Sequence, residues 1–263
     1  MVLRRTLSLT VAALVTIGLS ATLLAVKYGV PDEGEHPYVG LVVFYDSNNV
    51  PQWRCTGTLI SPTVLLTAGH CTELNGPARV YFEENVTAAT GYPTSGGYTG
   101  TAYTYPLWQG GLFLPNTGDV GVVVLDKRVK GITEFPTLAE VGFLDELATE
   151  RGTKSVMFEV VGYGLQSVKP TLSQFRTRLK AWVQLVNLSS ALTDGYNIQT
   201  TNAQGKGTGG GGTCFGDSGG AIFSEDGQIV AVNSFVMNEN CAGASFGYRV
   251  DTADVQAWIN SFL

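Results

Sequence analysis

Short apolar runs broken by glycine-rich turns, with almost no long amphipathic stretch, restrict this chain to a fold built from strands. Val39-Gly40-Leu41-Val42-Val43-Phe44-Tyr45 is apolar nearly throughout, as are Leu59-Ile60 and Val64-Leu65-Leu66. Val120-Gly121-Val122-Val123-Val124-Leu125, Phe158-Glu159-Val160-Val161 and Gln228-Ile229-Val230-Ala231-Val232 repeat the pattern, rich in β-branched residues. Runs of this kind bounded by turn residues read as buried strands. Across residues 175–186, Thr177, Leu179, Ala181, Val183 and Leu185 alternate with Arg178, Lys180, Trp182 and Gln184, a period of two that fits a strand and not a helix. The 33 glycines and only 14% charged residues suit many short strands and tight turns. One helix is expected, at the C-terminus, capped by Asp251 or Thr252, with Val255, Trp258, Ile259 and Leu263 on one face.

The first residues read as an export signal. Arg4 and Arg5 precede an uncharged run from Thr6 to Val26 that ends at Leu23-Leu24-Ala25, and cleavage is expected after Ala25. Retained, residues 6–26 would be long enough for a membrane anchor. Association with a membrane is therefore expected only if that segment stays uncleaved. The formal charge of −6 and the absence of a Lys/Arg cluster in the body argue against a nucleic-acid partner. Four cysteines in an exported chain are expected to form two disulfides. Three pairings exist; Cys55 with Cys71 and Cys214 with Cys241 is favoured because each pair brackets a motif. Asn85-Val86-Thr87 and Asn187-Leu188-Ser189 match the glycosylation acceptor pattern, which matters only in a eukaryotic host.

Chemistry is concentrated in Gly216-Asp217-Ser218-Gly219-Gly220, a serine on a glycine-flanked turn. The chain holds only two histidines, His36 and His70, so any imidazole base for Ser218 must be one of them. His70, at the end of a buried strand in Thr67-Ala68-Gly69-His70-Cys71, is the better candidate. A Gly-x-Ser-x-Gly pattern also marks the nucleophile elbow of α/β-hydrolases, but those need an acid and then a histidine after the serine. No histidine follows Ser218. A serine nucleophile, a histidine base and an orienting acid together make an acyl-transfer site.

On Thr67-Ala68-Gly69-His70-Cys71, Asp119-Val120-Gly121-Val122 and Gly216-Asp217-Ser218-Gly219-Gly220, the chain resembles the trypsin-like, chymotrypsin-fold serine peptidases, as a secreted bacterial or fungal type. The motifs stand in that family's order, separated by 49 and then 99 residues, and the match runs from about Val26 to the end. The resemblance implies an all-β fold of two antiparallel six-stranded Greek-key barrels with a C-terminal helix, the first over residues 26–138 and the second over 139–263, after a signal at 1–25. It implies His70, Asp119 and Ser218 as the triad, and the backbone N–H groups of Gly216 and Ser218 as the oxyanion hole. Gly216 is expected because a side chain there would crowd the substrate. With an unperturbed imidazole pKa of about 6.5, activity is expected to rise between roughly pH 6 and 7.

The same likeness implies that Asp217 pairs with an apolar N-terminus, which signal cleavage would supply at Val26. Gly212 would form the floor of the specificity pocket, where trypsin-type enzymes carry an aspartate, so Lys or Arg is not expected there. Ser234, Phe235 and Val236 would form the wall, Ser245 or Phe246 would face it and Phe215 would lie at the mouth. Val236 would narrow the pocket to small or medium apolar side chains. Expected partners are polypeptide substrates and proteinaceous inhibitors, for a monomer with no metal and no organic cofactor. The alternative is a catalytically silent homologue acting as a binding or adhesion module.

Overall fold

A computed structural model describes residues 26–168, 172, 176–203 and 209–263. The export segment, residues 1–25, and the first residues of the Gly207–Gly212 tract lie outside the described residues, as does the start of the alternating stretch at 175.

Six strands form the first closed antiparallel barrel: β1 (Val39–Tyr45), β2 (Pro51–Leu59), β3 (Val64–Thr67), β4 (Pro77–Tyr81), β5 (Tyr98–Thr104) and β6 (Gly121–Leu125). Around the barrel they run β1-β2-β3-β6-β5-β4. Six more form the second: β7 (Met157–Gly162), β8 (Leu179–Asn187), β9 (Asn197–Asn202), β10 (Ala221–Phe223), β11 (Ile229–Val236) and β12 (Gly243–Arg249). Their circuit is β7-β8-β9-β12-β11-β10, so the second barrel repeats the strand order of the first. No sequence repeat betrays this, because barrel closure needs only alternating inward residues, not particular ones.

The continuous apolar runs have a simple cause. All seven residues of β1 are buried. Val39, Leu41, Val43 and Tyr45 face a core shared between the barrels, with Val161, Phe223 and Val232 from the second. Val42 and Phe44 face the interior of the first barrel with Leu59, Leu65, Val80 and Val123. A strand buried on both faces has no reason to alternate. In β8 the alternation survives because Trp182 and Val186 face solvent while Leu179, Ala181, Val183 and Leu185 enter the second barrel's core.

Each barrel is strapped by chain from the other half. Val30–Pro31 pairs with Lys180 and Leu179 of β8. At the other end, the helix α2 (Ala253–Asn260) buries Val255 and Ile259 in the shared core, and Trp258 lies 5.2 Å from the Tyr105 ring. Two expectations for that helix need correcting. Thr252 occupies the cap position without a side-chain cap bond, and Asp251 is committed to Arg249. Leu263 lies past the helix and is exposed, while Phe262 packs in its place.

The second histidine belongs to this seam. His36 Nδ1 lies 2.6 Å from Asp32 Oδ1, and His36 Nε2 lies 3.4 Å from Glu159 Oε2. Arg178 donates to Asp32 at 2.7 Å and to the carbonyls of Val39 and Phe82 at 3.1 and 3.0 Å, joining both halves. His36 is thus spent on structure, away from the serine.

Candidate active site

His70 sits on a single turn, α1 (Gly69–Thr72), that follows β3 directly. Trp53 Nε1 donates to the Cys71 carbonyl at 2.9 Å, and the Cys55–Cys71 disulfide ties the same turn to β2. Asp119 is fully buried just before β6. Its Oδ1 accepts from the His70 backbone N–H at 2.7 Å, and its Oδ2 lies 2.9 Å from His70 Nδ1. Ser234 Oγ donates to the same Oδ2. With Nδ1 donating to a carboxylate, the proton-accepting nitrogen is Nε2. Burial alone would lower the His70 pKa, but the charge and hydrogen bonds of Asp119 outweigh it and hold the imidazole above its ordinary value. Burial would raise the Asp119 pKa, yet the His70 charge and the bonds from His70 and Ser234 hold it below the usual carboxylate range.

Ser218 comes from the second barrel, on the turn between the Cys214–Cys241 disulfide and β10. The first barrel grips that turn. Thr56 N donates to the Ser218 carbonyl at 2.9 Å, and Thr56 Oγ1 donates to the Gly216 carbonyl at 2.8 Å. Gly219, at φ +79°, passes so close to Thr56 and Ala68 that a Cβ would overlap their backbone. Gly216 is required for conformation as well as space: its φ is +98°, and a Cβ would lie 3.1 Å from Gly164 Cα. The neighbouring N–H groups are spent, Asp217 on Cys214 O, Gly219 on Asn233 O and Gly220 on Asp217 O. Those of Gly216 and Ser218 donate to no acceptor among the described residues. Ser218 and His70 line one cavity but share no hydrogen bond, a looseness common in unliganded sites.

Asp217 is wholly buried, its carboxylate accepting, among the described residues, from the N–H groups of Gly164 and Cys214 at 2.8 and 2.9 Å. Burial pushes its pKa up to about 7 against those two bonds and the Arg54 charge. Val26 is buried in the second barrel's core, and the next residue ties the segment down. The Lys27 carbonyl accepts from Gly212 N at 3.0 Å, while Lys27 Nζ donates to the carbonyls of Asn240 and Cys241 at 2.9 and 2.8 Å.

The cavity lined by His70 and Ser218 has a volume of about 330 Å³. Phe215, Ser234, Phe235 and Val236 line it, with Phe215 half-exposed. Gly212 and Ser245 do not line it. A Cβ on Gly212 would overlap the Asn202 amide oxygen, so that position is closed to a charged side chain. Ser245 is buried with its hydroxyl 2.9 Å from Thr200 Oγ1, while its neighbour Phe246 stacks on Phe235 at 4.5 Å. Sequence reasoning missed Leu112, Thr213 and Asn233, which do line the cavity, and Trp108, whose ring lies 6.1 Å from that of His70. Cys55, Cys71 and His70 group closely enough for a metal, but both sulfurs are oxidised and offer no thiolate.

Comparison with known proteins agrees with this architecture. Scolexin B of Heliothis virescens is 26% identical over 220 residues, covering 78% of this chain and 73% of that protein. HL collagenase superimposes with a TM-score of 0.67 at 19% identity, covering 89% of this chain and 96% of its own. Human heparin binding protein does so with a TM-score of 0.63 at 19% identity, covering 89% and 94%. At such identities the structural likeness carries the fold alone, and one neighbour is named as an enzyme while the other is named for binding. The Trypsin family matches residues 29–259, nearly the whole described chain, and with the two closed barrels this makes the protein a member of the trypsin-like serine peptidase family.

Proposed function

We propose that the protein is an exported serine endopeptidase that cleaves peptide bonds through an acyl-enzyme on Ser218. Ser218 Oγ attacks the acyl carbon while its proton passes to His70 Nε2. The leaving amine departs with that proton, and water then repeats the sequence to free the acid. Asp119 fixes the tautomer and stabilises the imidazolium. The N–H groups of Gly216 and Ser218 receive the oxyanion, where one such donor is worth about 3–4 kcal/mol. The observation that carries this function is the pairing of unspent N–H groups beside Ser218 with a His70 held by Asp119. Two disulfides fit an oxidising destination outside the cell.

Signal cleavage after Ala25 would free the amine of Val26, and Asp217, which makes no ion pair among the described residues, is its partner. N-terminal sequencing of active protein should read Val26-Lys27-Tyr28; a start well inside the body would contradict that pairing. The walls of Val236, Phe235 and Leu112 favour a small or medium uncharged side chain before the scissile bond. A strong Lys or Arg preference would refute this. Labelling with a fluorophosphonate probe tests the function itself: the folded protein should be labelled and Ser218→Ala should not. An unlabelled, correctly processed protein would favour the silent binding module instead.

A further inference from the structure

Besides His70, Leu112 and Ser218, two stretches of chain line the cavity, residues 213–215 and 233–236. The first continues directly from Gly212, and the second runs through a short turn into Asn240 and Cys241. Lys27 is bonded to both. Its carbonyl accepts from Gly212 N at 3.0 Å, and its Nζ donates to the carbonyls of Asn240 and Cys241 at 2.9 and 2.8 Å. The Cys214–Cys241 disulfide joins the same two stretches, so Lys27 adds a second tie beside it.

An apolar side chain would fill that space at less cost. Lys27 is only 9% exposed, and burial lowers its pKa. No carboxylate pairs with it among the described residues, so the two carbonyls and the Tyr28 ring, centred 5.3 Å from Nζ, offset the burial of its charge. Those carbonyls belong to a strained turn. Cys241 is held at φ +47°, a left-handed conformation that persists only where the surroundings fix it. Asn238 closes the turn from inside, its Oδ1 accepting from Asn240 N at 3.1 Å and Ala242 N at 3.3 Å. These bonds shape the turn without attaching it to residues 212–215, which Lys27 and the disulfide do. A disulfide fixes one point, about which two walls can still open; the three bonds of Lys27 close that freedom.

Resting on the endopeptidase function above, we infer that Lys27 is a positioning residue. It holds the two stretches at the separation that lets the pocket grip the side chain before the scissile bond. The test compares the disulfide-bonded protein with Lys27→Met, which keeps the buried stem and loses the donor. The substrates are peptides with valine or glycine before the scissile bond, because glycine places nothing in the pocket. The wild type should prefer valine by at least about 10-fold in kcat/KM, the least that one methylene contributes in an apolar pocket. Lys27→Met should bring the two within about threefold, through a higher KM for valine. Turnover of the glycine peptide and labelling of Ser218 by a small fluorophosphonate should stay unchanged. Lys27→Arg, which returns a cation, should restore part of the preference. Should Lys27→Met fail to fold, Lys27→Gln, uncharged and one atom shorter, should show the same fall; loss of folding in both would make Lys27 a folding residue and overturn the inference. A wild type indifferent to valine, a preference untouched in the variants, or equal losses on both peptides and on labelling would overturn it while the peptidase stands. A wild type that neither labels nor turns over would overturn both.

Discussion

Asp217 gives the account a quantitative handle on how the site is assembled. Displacing a carboxyl pKa from 3.8 to about 7 by burial corresponds to roughly 4 kcal/mol of unfavourable ionisation. The sign follows from proton binding. Between about pH 4 and pH 7 the folded protein holds a proton on Asp217 that the unfolded chain has lost, so stability falls as pH rises through that window. Below it the penalty is absent; above it the penalty is present in full. An ammonium at Val26 would remove it, because an opposite charge favours the ionised carboxylate. The assay is urea unfolding between pH 4 and 8 on four proteins, the wild type and Asp217→Asn, each with residues 1–25 retained and removed. With the segment retained, wild-type stability relative to Asp217→Asn should drop by about 4 kcal/mol from the acid to the neutral end. With the chain starting at Val26, the drop should largely vanish. The same slope in both wild-type forms, or no slope in either, would refute the pairing of Asp217 with that amine.

Other outcomes follow from the same geometry. Asp119→Asn should lower kcat by about 10⁴ with little change in KM, the size of loss seen when a triad protease loses this role. Because Asp119 raises the His70 pKa, activity should fall on acidification as Nε2 is protonated at a pH above 6.5, sooner than an unperturbed imidazole would be; a kcat/KM profile with its acid limb at or below 6.5 would contradict this. Arg178→Met should cost about 3–5 kcal/mol in chemical denaturation, since it strands the buried Asp32 carboxylate and two carbonyls where the halves meet.

What the sequence revealed, and what it hid, divides along physical lines. That His70 meets Asp119 and shares a cavity with Ser218 was legible because only two histidines compete and such a cluster permits few substitutes. The strands were legible because a run such as Val39–Tyr45 must be apolar when both its faces are buried. The cavity wall was not. The β11–β12 register shifts between Asn233 and Phe235, and four successive residues, Asn233 to Val236, then line the same cavity. No period-two pattern could single out Asn233 there, because a bulge breaks the rule from which the pattern derives. Which of Ser245 and Phe246 turns toward the cavity wall depends on the same register, which the sequence does not carry; Phe246 is the one that stacks on Phe235. Lys27 holding the Cys241 carbonyl, 214 residues away, was equally invisible, since a lysine near an N-terminus normally reads as solvated.

The proposed activity stands or falls on a covalent acyl intermediate at Ser218. Rapid mixing with an activated ester, followed by an acid quench and mass spectrometry, tests it most directly. A burst of about one equivalent of leaving group per protein is expected, with the acyl mass on the peptide containing Ser218. Ser218→Ala should show neither burst nor adduct. Steady turnover with no adduct on Ser218, or a burst that survives Ser218→Ala, would contradict it.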